Sequence, residues 1–342
     1  MKLLKHLGYR LLVLVPQLLA ISFVTFGIVR LLPGDPARLQ LGPLAPEATV
    51  EKLRGELLLN RPIWEQYTVY LKRLLQGDFG RSWVNGTFVA EDLATRLPAT
   101  LELIFLSLLT ILLILVPMAI VTASDSLNPF VGQLRRLAVG YGMLAGALPD
   151  FLLGLLLIFV FFVTLGWLPG PEGQLGILDI PPERITGFVL VDSIIAGDTE
   201  LVKSVFLHMA MPVGTLAFVY GAPIFKMLRG RMEEALASDY TLYGIMLGLP
   251  RRTTFLRALR SAAGPTLVMT GVVSGFLLGG AVLVESVFNL NGIGQYAIKA
   301  IATADYAPLQ SFVLVSAIVT ATIYLLVDIA MLFVDPRLAG DR

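Results

Sequence analysis

The sequence predicts an all-α, polytopic membrane protein with six transmembrane helices. Its mean hydropathy is +0.78, 56% of its residues are hydrophobic and only 15% are charged. This composition is far from that of a soluble globular domain. Because about 20 apolar residues cross the hydrocarbon core of a bilayer, runs with few or no charges count the spans. Those runs are residues 11–29, 103–124, 137–166, 209–225, 261–284 and 306–327.

Two of these runs, 137–166 and 11–29, have an alternative to a single retained membrane span. The run 137–166 is too long for one upright helix and too short for two, and it contains Pro149. A proline inside a helix removes a backbone hydrogen bond, so we expect a break or kink there. The run 11–29 is longer than the apolar region of a signal peptide, and no small-x-small cleavage site follows it. It is therefore predicted to be a retained helix.

Basic residues accumulate on one side of the predicted spans. They are Lys2, Lys5 and Arg10, Arg135 and Arg136, and Lys226, Arg229, Arg231, Arg251, Arg252, Arg257 and Arg260. Segment 167–202 carries mostly acidic residues instead. Since short cytoplasmic loops are rich in Lys and Arg, the six spans are predicted to start inside, with both termini cytoplasmic.

The predicted organisation has four regions. These are the cytoplasmic N-terminus with the first transmembrane helix (1–32), an extracytoplasmic lobe (33–97), a five-helix core (98–336) and a cytoplasmic tail (337–342). Helical spacing in the lobe predicts helices over Thr49–Leu59 and Ile63–Leu75. The lobe is either a structural cap or a docking surface for another extracytoplasmic protein.

Residues 229–265, which we call the elbow, form a basic, amphipathic segment between two apolar spans. Its apolar residues recur at helical spacing and predict one helix with one stripe: Met232, Leu236, Tyr240, Tyr243 and Leu247. The sequence Gly248-Leu249-Pro250 is expected to end this helix, and a second short helix is expected over Thr253–Leu259. The elbow is interpreted as a docking element through which a partner moves the spans.

Four residues at or near membrane depth are candidates for a translocation path: Pro149, Asp150, His208 and Glu285. A carboxylate at mid-bilayer costs about 2.5–3.5 kcal/mol on insertion scales, so each needs a structural or functional reason. Asp150 either lines a polar path or caps the second half of a broken helix. His208 and Glu285 lie near the outer ends of predicted spans, where solvation at the interface is the simpler explanation.

Several kinds of chemistry are excluded by the sequence. It has no Gly-Lys pair and hence no G-x-x-x-x-G-K-[ST] phosphate loop, and no G-x-S-x-G motif. With no cysteine and only His6 and His208, neither a thiolate metal site nor an H-E-x-x-H zinc site is possible. No catalytic, cofactor or metal site is therefore expected in this chain.

A series of short motifs resembles the dipeptide/oligopeptide/nickel permeases of ABC importers, nearly end to end. In the amino-terminal part they are RLLPGDP (30–36), NRPI (60–63) with Gln66-Tyr67, GDFGRS (77–82) and RLPATLEL (96–103). In the carboxyl half they are Asp239-Tyr240, Gly248-Leu249, RALR (257–260) before Pro265, VESVF (284–288), GIG (292–294), Asp305-Tyr306 and DPR (335–337). No single motif would establish the resemblance, but this many motifs in the same order argue against a chance match.

The resemblance implies a six-helix type I permease in a bacterial cytoplasmic (inner) membrane, paired with a homologous second permease. It further implies two cytoplasmic ATPase domains, which bind ATP and Mg and grip the loop around Gly248, and an extracytoplasmic binding protein that delivers peptide. The implied coupling residues are Asp239, Tyr240, Tyr243, Gly248, Leu249 and Pro250. Residues 242–247 (LYGIML) are more apolar here than is usual in the family, which suits a hydrophobic groove on an ATPase.

Alternatives remain at this stage. An ion-driven secondary transporter would use Asp150 and His208 as proton carriers, although inverted repeats are not evident. A structural subunit without a transport path would leave Asp150 dispensable. The cargo is a dipeptide, a longer peptide, a nickel chelate or a related compound, and the sequence does not choose among them.

Overall fold

The structure, a computed structural model, describes residues 2–31, 35–42, 44–123 and 129–334. Fourteen α-helices occur in this part of the chain, and its only β-structure is an isolated bridge between Arg81 and Phe88. The helices are α1 (Lys2–Leu31), α2 (Pro36–Leu41), α3 (Glu47–Glu56), α4 (Ile63–Leu75), α5 (Val89–Thr110), α6 (Val116–Ala123), α7 (Pro129–Leu144), α8 (Asp150–Leu157), α9 (Val189–Ile195), α10 (Thr199–Leu236), α11 (Asp239–Met246), α12 (Arg251–Phe288), α13 (Ile293–Ala302) and α14 (Tyr306–Val334). The predicted all-α fold class is confirmed.

Four described helical stretches are long and apolar enough to cross a bilayer: Val89–Ala123, Thr199–Leu236, Arg251–Phe288 and Tyr306–Met331. Two shorter apolar helices, Leu12–Ile28 and Asp150–Thr164, correspond to the first and third predicted spans. The chain is thus a polytopic membrane protein, while the count of six spans stays a prediction. The run 137–166 is divided between α7 and α8, and the predicted break falls directly before Asp150.

Two π-helical segments widen the apolar helices at Ile111–Leu115, between α5 and α6, and at Ile158–Thr164, after α8. The first precedes Pro117, which lacks an N–H group and cannot bond to a carbonyl four residues back. The Val116 N–H bonds to the Ile111 carbonyl, one residue further back than in an α-helix. The helix therefore continues to Ala123 despite the proline.

The centre of the molecule is the pair α10 and α12, each of 38 residues, which pack along each other. The α5–α6 span and α8 contact α10, α14 packs on α12, and α1 packs on α14. The main apolar core lies between these helices and includes Leu103, Met209, Leu216, Leu277 and Phe288. About half of each apolar stretch is buried, and apolar side chains such as Phe206 on α10 and Phe276 on α12 are exposed, so neither helix has a single apolar stripe.

Glycines allow these helices to approach closely. A Cβ atom at Gly154 of α8 would lie 3.1 Å from Phe288 of α12, and one at Gly271 of α12 would lie 3.2 Å from Val327 of α14. A Cβ atom at Gly280 of α12 would overlap the ring of Tyr220 on α10. Small residues at such positions are the usual means of close helix packing in membranes.

The amino-terminal lobe is helical, as the sequence predicts. The helix Ile63–Leu75 is confirmed, and the helix predicted at Thr49–Leu59 lies slightly earlier, at Glu47–Glu56. Helix α4 packs on α1, where the Tyr67 hydroxyl lies 2.9 Å from the Ser22 hydroxyl. The boundary predicted at residue 97 falls inside α5, which begins at Val89 and contains Pro98.

The loop after α4 contacts the carboxyl half of the chain through hydrogen bonds and an aromatic pair. The carboxylate of Asp305 is buried and accepts hydrogen bonds from the Ser82 hydroxyl (2.5 Å) and the Val84 N–H (3.4 Å). The rings of Trp83 and Tyr306 contact edge to face at 5.1 Å. Residues 32–34 of the motif at 30–36, the whole motif at 335–337 and the tail 337–342 lie outside the described residues.

Candidate coupling surface and buried polar sites

The elbow begins where α10 ends. Helix α10 stops at Leu236 and α11 starts at Asp239. The Ser238 hydroxyl (2.6 Å) and the Thr241 hydroxyl (2.7 Å) both donate to the Ala235 carbonyl, which takes the place of continued helical bonding. The single helix predicted over 232–247 is therefore wrong. Met232 is buried in the core whereas Tyr240, Tyr243 and Leu247 are exposed, so the predicted stripe is divided between two helices.

Gly248 ends α11 in the way its sequence position predicts. Its φ is +80°, the left-handed region that favours glycine. The Gly248 N–H bonds to the Ile245 carbonyl (2.9 Å) and the Leu249 N–H to the Gly244 carbonyl (3.0 Å), the pattern of a Schellman cap. The Leu249 side chain packs against Gly244: a Cβ atom at Gly244 would lie 3.1 Å from Cδ1 of Leu249. Gly248 and Leu249 therefore set the shape of the elbow.

Pro250 precedes the first residue of α12, and the helix then runs without a break to Phe288. The second short helix predicted over Thr253–Leu259 is thus wrong, because these residues are the first turns of α12. Proline is well suited to a helix start, since its fixed φ and missing N–H cost nothing there. The elbow consequently connects two long core helices directly.

Helix α11 presents an apolar surface to solvent, which we call the elbow surface. It consists of Tyr240, Leu242, Tyr243, Ile245, Met246 and Leu247, all exposed, with Met246 83% accessible. Asp239 at the start of α11 is exposed too, as are Arg251, Arg252, Arg257 and Arg260 on α12. A contiguous apolar patch with a charged rim marks an interaction site more often than a free surface. The predicted coupling residues are all exposed except Leu249, which is half-buried; their role in coupling stays a prediction.

Asp150 joins α8 to α10. Its Oδ1 accepts from the Phe151 N–H (2.7 Å) at the start of α8, and its Oδ2 accepts from the Tyr220 hydroxyl (2.9 Å). Pro149 holds the extended conformation that begins the helix. This geometry agrees with the capping interpretation of Asp150, while a role in a translocation path stays a prediction. Tyr220 was missed by the sequence analysis, because a tyrosine in an apolar run gives no signal of its partner.

Glu285 lies near the end of α12 and is fully buried, so the explanation by solvation at the membrane interface is wrong. Its carboxylate accepts from the Thr100 hydroxyl (2.5 Å) and the Gln295 N–H (3.0 Å), and Thr100 accepts from the Ile293 N–H (3.0 Å). The free N–H groups at the start of α13 thus surround a carboxylate, the charge that a helix N-terminus favours. A Cβ atom at Gly292 would overlap this carboxylate.

His208 is also buried rather than solvated at an interface, with 8% of its surface exposed. Its Nδ1 lies 2.8 Å from the Ser204 carbonyl. His208, Asp150 and Glu285 each bond to a different set of residues, so the hydrogen bonds of the described residues do not connect them. A proton relay from Asp150 to His208 therefore gains no support from the geometry.

A further buried carboxylate, Glu102 of α5, was not singled out from the sequence. It accepts from the Leu190 N–H (2.8 Å), the Val189 N–H (3.2 Å) and the Gln174 side chain (2.8 Å). It thereby fixes the start of α9 and the segment before it against α5. The described residues contain no group of three or more His, Cys, Asp or Glu side chains placed to hold a metal ion.

Long apolar helices, two of them joined by an elbow with an exposed apolar surface, define a polytopic membrane protein. The chain belongs to the family of binding-protein-dependent transport system inner membrane components, which matches residues 115–340. The amino-terminal region of the same kind of component matches residues 3–104. The family resemblance noted in the sequence is thus confirmed. Members are membrane permeases rather than catalytic subunits, and their systems include ATPase and substrate-binding components.

Individual relatives cover almost the whole chain. The probable D,D-dipeptide transport system permease protein DdpB of Escherichia coli (strain K12) is 37% identical over 93% of this chain and 92% of its own length. The di/tripeptide transport system permease protein DppB of Pseudomonas aeruginosa (strain UCBPP-PA14) is 34% identical over 99% of this chain and 100% of its own. The glutathione transport system permease protein GsiC of Escherichia coli O1:K1 / APEC is 32% identical over 96% and 97%.

Proposed function

We propose that this chain is the permease subunit of an ATP-driven importer for short peptides. The relatives described above are named for dipeptides, di- and tripeptides and glutathione, all of which are short peptides. The chain would form half of the translocation path beside a homologous second permease. An extracytoplasmic binding protein would deliver the cargo, and two cytoplasmic ATPase domains would supply the energy.

The elbow surface is the observation that carries this proposal. It is apolar, exposed and placed between the ends of α10 and α12, and α11 contacts both helices. Helices of 38 residues are about 57 Å long, enough to reach from the elbow across a bilayer. A displacement of α11 would therefore be transmitted along both core helices to the far side of the membrane.

The elbow would lie in the cytoplasm together with both termini, as the distribution of Lys and Arg indicates. ATP and Mg would bind to the partner ATPase subunits, and this chain would bind no cofactor of its own. Closure of the paired ATPases would move α11 and shift the path between inward and outward access. Transport energy would thus enter through a surface of this chain without any reaction taking place on it.

The test is to reconstitute the complete complex in proteoliposomes with Met246→Glu or Tyr243→Glu in the permease. Both side chains are exposed, so folding should survive while a charge enters the apolar contact. We expect uptake of dipeptide and stimulated ATP hydrolysis to fall at least about tenfold, since a buried unpaired charge at an interface costs several kcal/mol.

Ile301→Glu is the matched control, because Ile301 is 63% exposed on α13 and lies outside both the elbow and the lobe. It should leave both activities unchanged. Normal stimulated hydrolysis in both elbow variants would contradict the coupling role of α11. Uptake that survives ATP depletion and collapses with the proton gradient would contradict the importer itself.

A further inference from the structure

An open cavity of about 540 Å³ lies between the segment 169–180 and the first turns of α10. Its charged lining consists of Asp179, Asp198, Glu200 and Lys203, and His208 lines it as well. Three carboxylates face one ammonium group, so the cavity favours a positively charged occupant. Leu178, Ile180 and Leu207 provide apolar walls beside these charges.

His208 contributes a specific hydrogen-bond requirement to this cavity. Its Nδ1 lies 2.8 Å from the Ser204 carbonyl, which can only accept, so Nδ1 carries the proton. With the proton on Nδ1, Nε2 is an acceptor whenever the imidazole carries no charge. It is buried and finds no donor among the residues that the structure describes. Buried polar atoms are nearly always paired, so a donor such as a water molecule or a bound ligand is expected at this nitrogen.

The carboxylate of Asp179 is held close to His208. Its Oδ2 accepts from the Ser204 hydroxyl and from the Gly176 N–H (2.9 Å), and Ser204 is also the residue that orients the imidazole. The Ser204 hydroxyl and the Gly176 N–H keep the pKa of Asp179 below its usual range, so this group is ionised at neutral pH. The cavity therefore combines a fixed negative charge with a ring nitrogen that has no partner in the described part of the chain.

We propose that this cavity binds a primary ammonium group, namely the free amino terminus of a peptide cargo. An ammonium group has three donors and no acceptor. One donor would reach Nε2 of His208 and the others the carboxylates, while the first side chain of the peptide would rest on Leu178 and Leu207. The identification of the ammonium group as a peptide terminus rests on the proposed function.

Nitrogen NMR of the imidazole tests this directly, because His6 and His208 are the only histidines. The His6→Gln permease, labelled with ¹⁵N-histidine and assembled with its partner subunits in lipid nanodiscs, has one imidazole to observe. Alanyl-alanine should shift the Nε2 resonance with saturation, and N-acetyl-alanyl-alanine should not. A resonance that is shifted by neither peptide, or equally by both, overturns the ammonium site.

Charge variants give a second readout of the same site. Glu200→Gln should weaken the apparent affinity for alanyl-alanine about threefold to tenfold, and Lys203→Gln should strengthen it, since partly exposed charges interact by modest energies. Glu183→Gln is the matched control, because Glu183 is exposed but does not line the cavity. Equal effects of Glu200→Gln and Glu183→Gln would contradict the proposal.

ATP-driven uptake of alanyl-alanine by the unmodified complex is measured in parallel. If uptake is observed but the Nε2 resonance does not distinguish alanyl-alanine from its N-acetyl form, the ammonium site is overturned and the proposed function stands. An imidazole that responds to alanyl-alanine in a complex without ATP-driven uptake supports the ammonium site and overturns the proposed function.

Discussion

The Tyr220 hydroxyl of α10 donates a 2.9 Å hydrogen bond to Oδ2 of Asp150 at the start of α8. Gly280 of α12 makes room for the tyrosine ring, so three helices meet at this one bond. The carboxylate is nearly inaccessible to solvent. A buried charge without its donor is costly, which makes the bond a determinant of how α8 sits against the core pair.

Tyr220→Phe should destabilise the protein by about 1.5–3 kcal/mol, because the largely buried Asp150 carboxylate loses a hydrogen-bond donor. Thermal unfolding in detergent measures the effect. Asp150→Asn and the double variant complete a mutant cycle, in which the two changes should not be additive. Additive effects would show that the two side chains contribute independently.

Gly294→Ala should destabilise the start of α13, because its Cβ atom would lie 2.6 Å from the backbone of Val282 on α12. Overpacking of this kind costs about 1–3 kcal/mol. Gly279→Ala is the control, since no atom of the described residues outside its own helix turn lies within 4 Å of a Cβ atom there. The melting temperatures of the two variants should differ by several degrees, and equal values would contradict the close approach.

Gly248→Glu should abolish transport-coupled ATP hydrolysis in the reconstituted complex while leaving the protein in the membrane. The substitution strains a position at φ +80° and places a charge beside the elbow surface. Gly248→Asn separates these two effects, because asparagine tolerates the left-handed region and carries no charge. The asparagine variant should retain most of the coupled hydrolysis, and equal loss in both variants would contradict this account.

The buried Asp305 should give the stability of the protein a distinct pH dependence. Burial raises the pKa of Asp305, with the bonds from Ser82 and Val84 opposing the rise. Because the folded pKa exceeds the unfolded one, its stabilising contribution is complete below the ordinary Asp pKa of about 3.9 and is lost as the pH rises through the raised value. Asp305→Asn should therefore gain stability relative to the unsubstituted protein as the pH rises from about 4 to 7.

Asp179→Asn serves as the comparison with the opposite sign. The Ser204 hydroxyl lowers the pKa of Asp179, so its contribution is present above the ordinary value and lost as the pH falls through the lowered one. Chemical unfolding measured at several pH values should show the two variants diverging in opposite directions. Parallel curves would mean that the surroundings of Asp305 and Asp179 do not differ as the structure shows.

Several features could be read directly from the chain. The α4 bounds, the break before Asp150 and the cap at Gly248 depend on local chemistry, namely helical spacing, a proline without an N–H and a glycine at positive φ. The apolar character of α11 was equally visible. These features need no information about what packs against them.

Other features were invisible because they join residues far apart in sequence. Thr100 and Glu285 are separated by 185 positions, and Ser82 and Asp305 by 223. The interface explanation of Glu285 failed for this reason, since its donors come from α5 and from the start of α13. The division of the predicted elbow helix at Ser238 was missed because the spacing of apolar residues is the same whether one helix continues or two helices meet at a cap.

The sequence alone determined that this is an all-helical membrane protein with an apolar elbow, because hydropathy, helical spacing and turn chemistry act over a few residues. Only the tertiary structure decided which buried charges have donors, where α10 ends and that Nε2 of His208, beside a cavity, finds no donor among the residues described. The physical reason is that electrostatic and hydrogen-bond satisfaction depends on distance in space, which the order of residues along the chain does not specify.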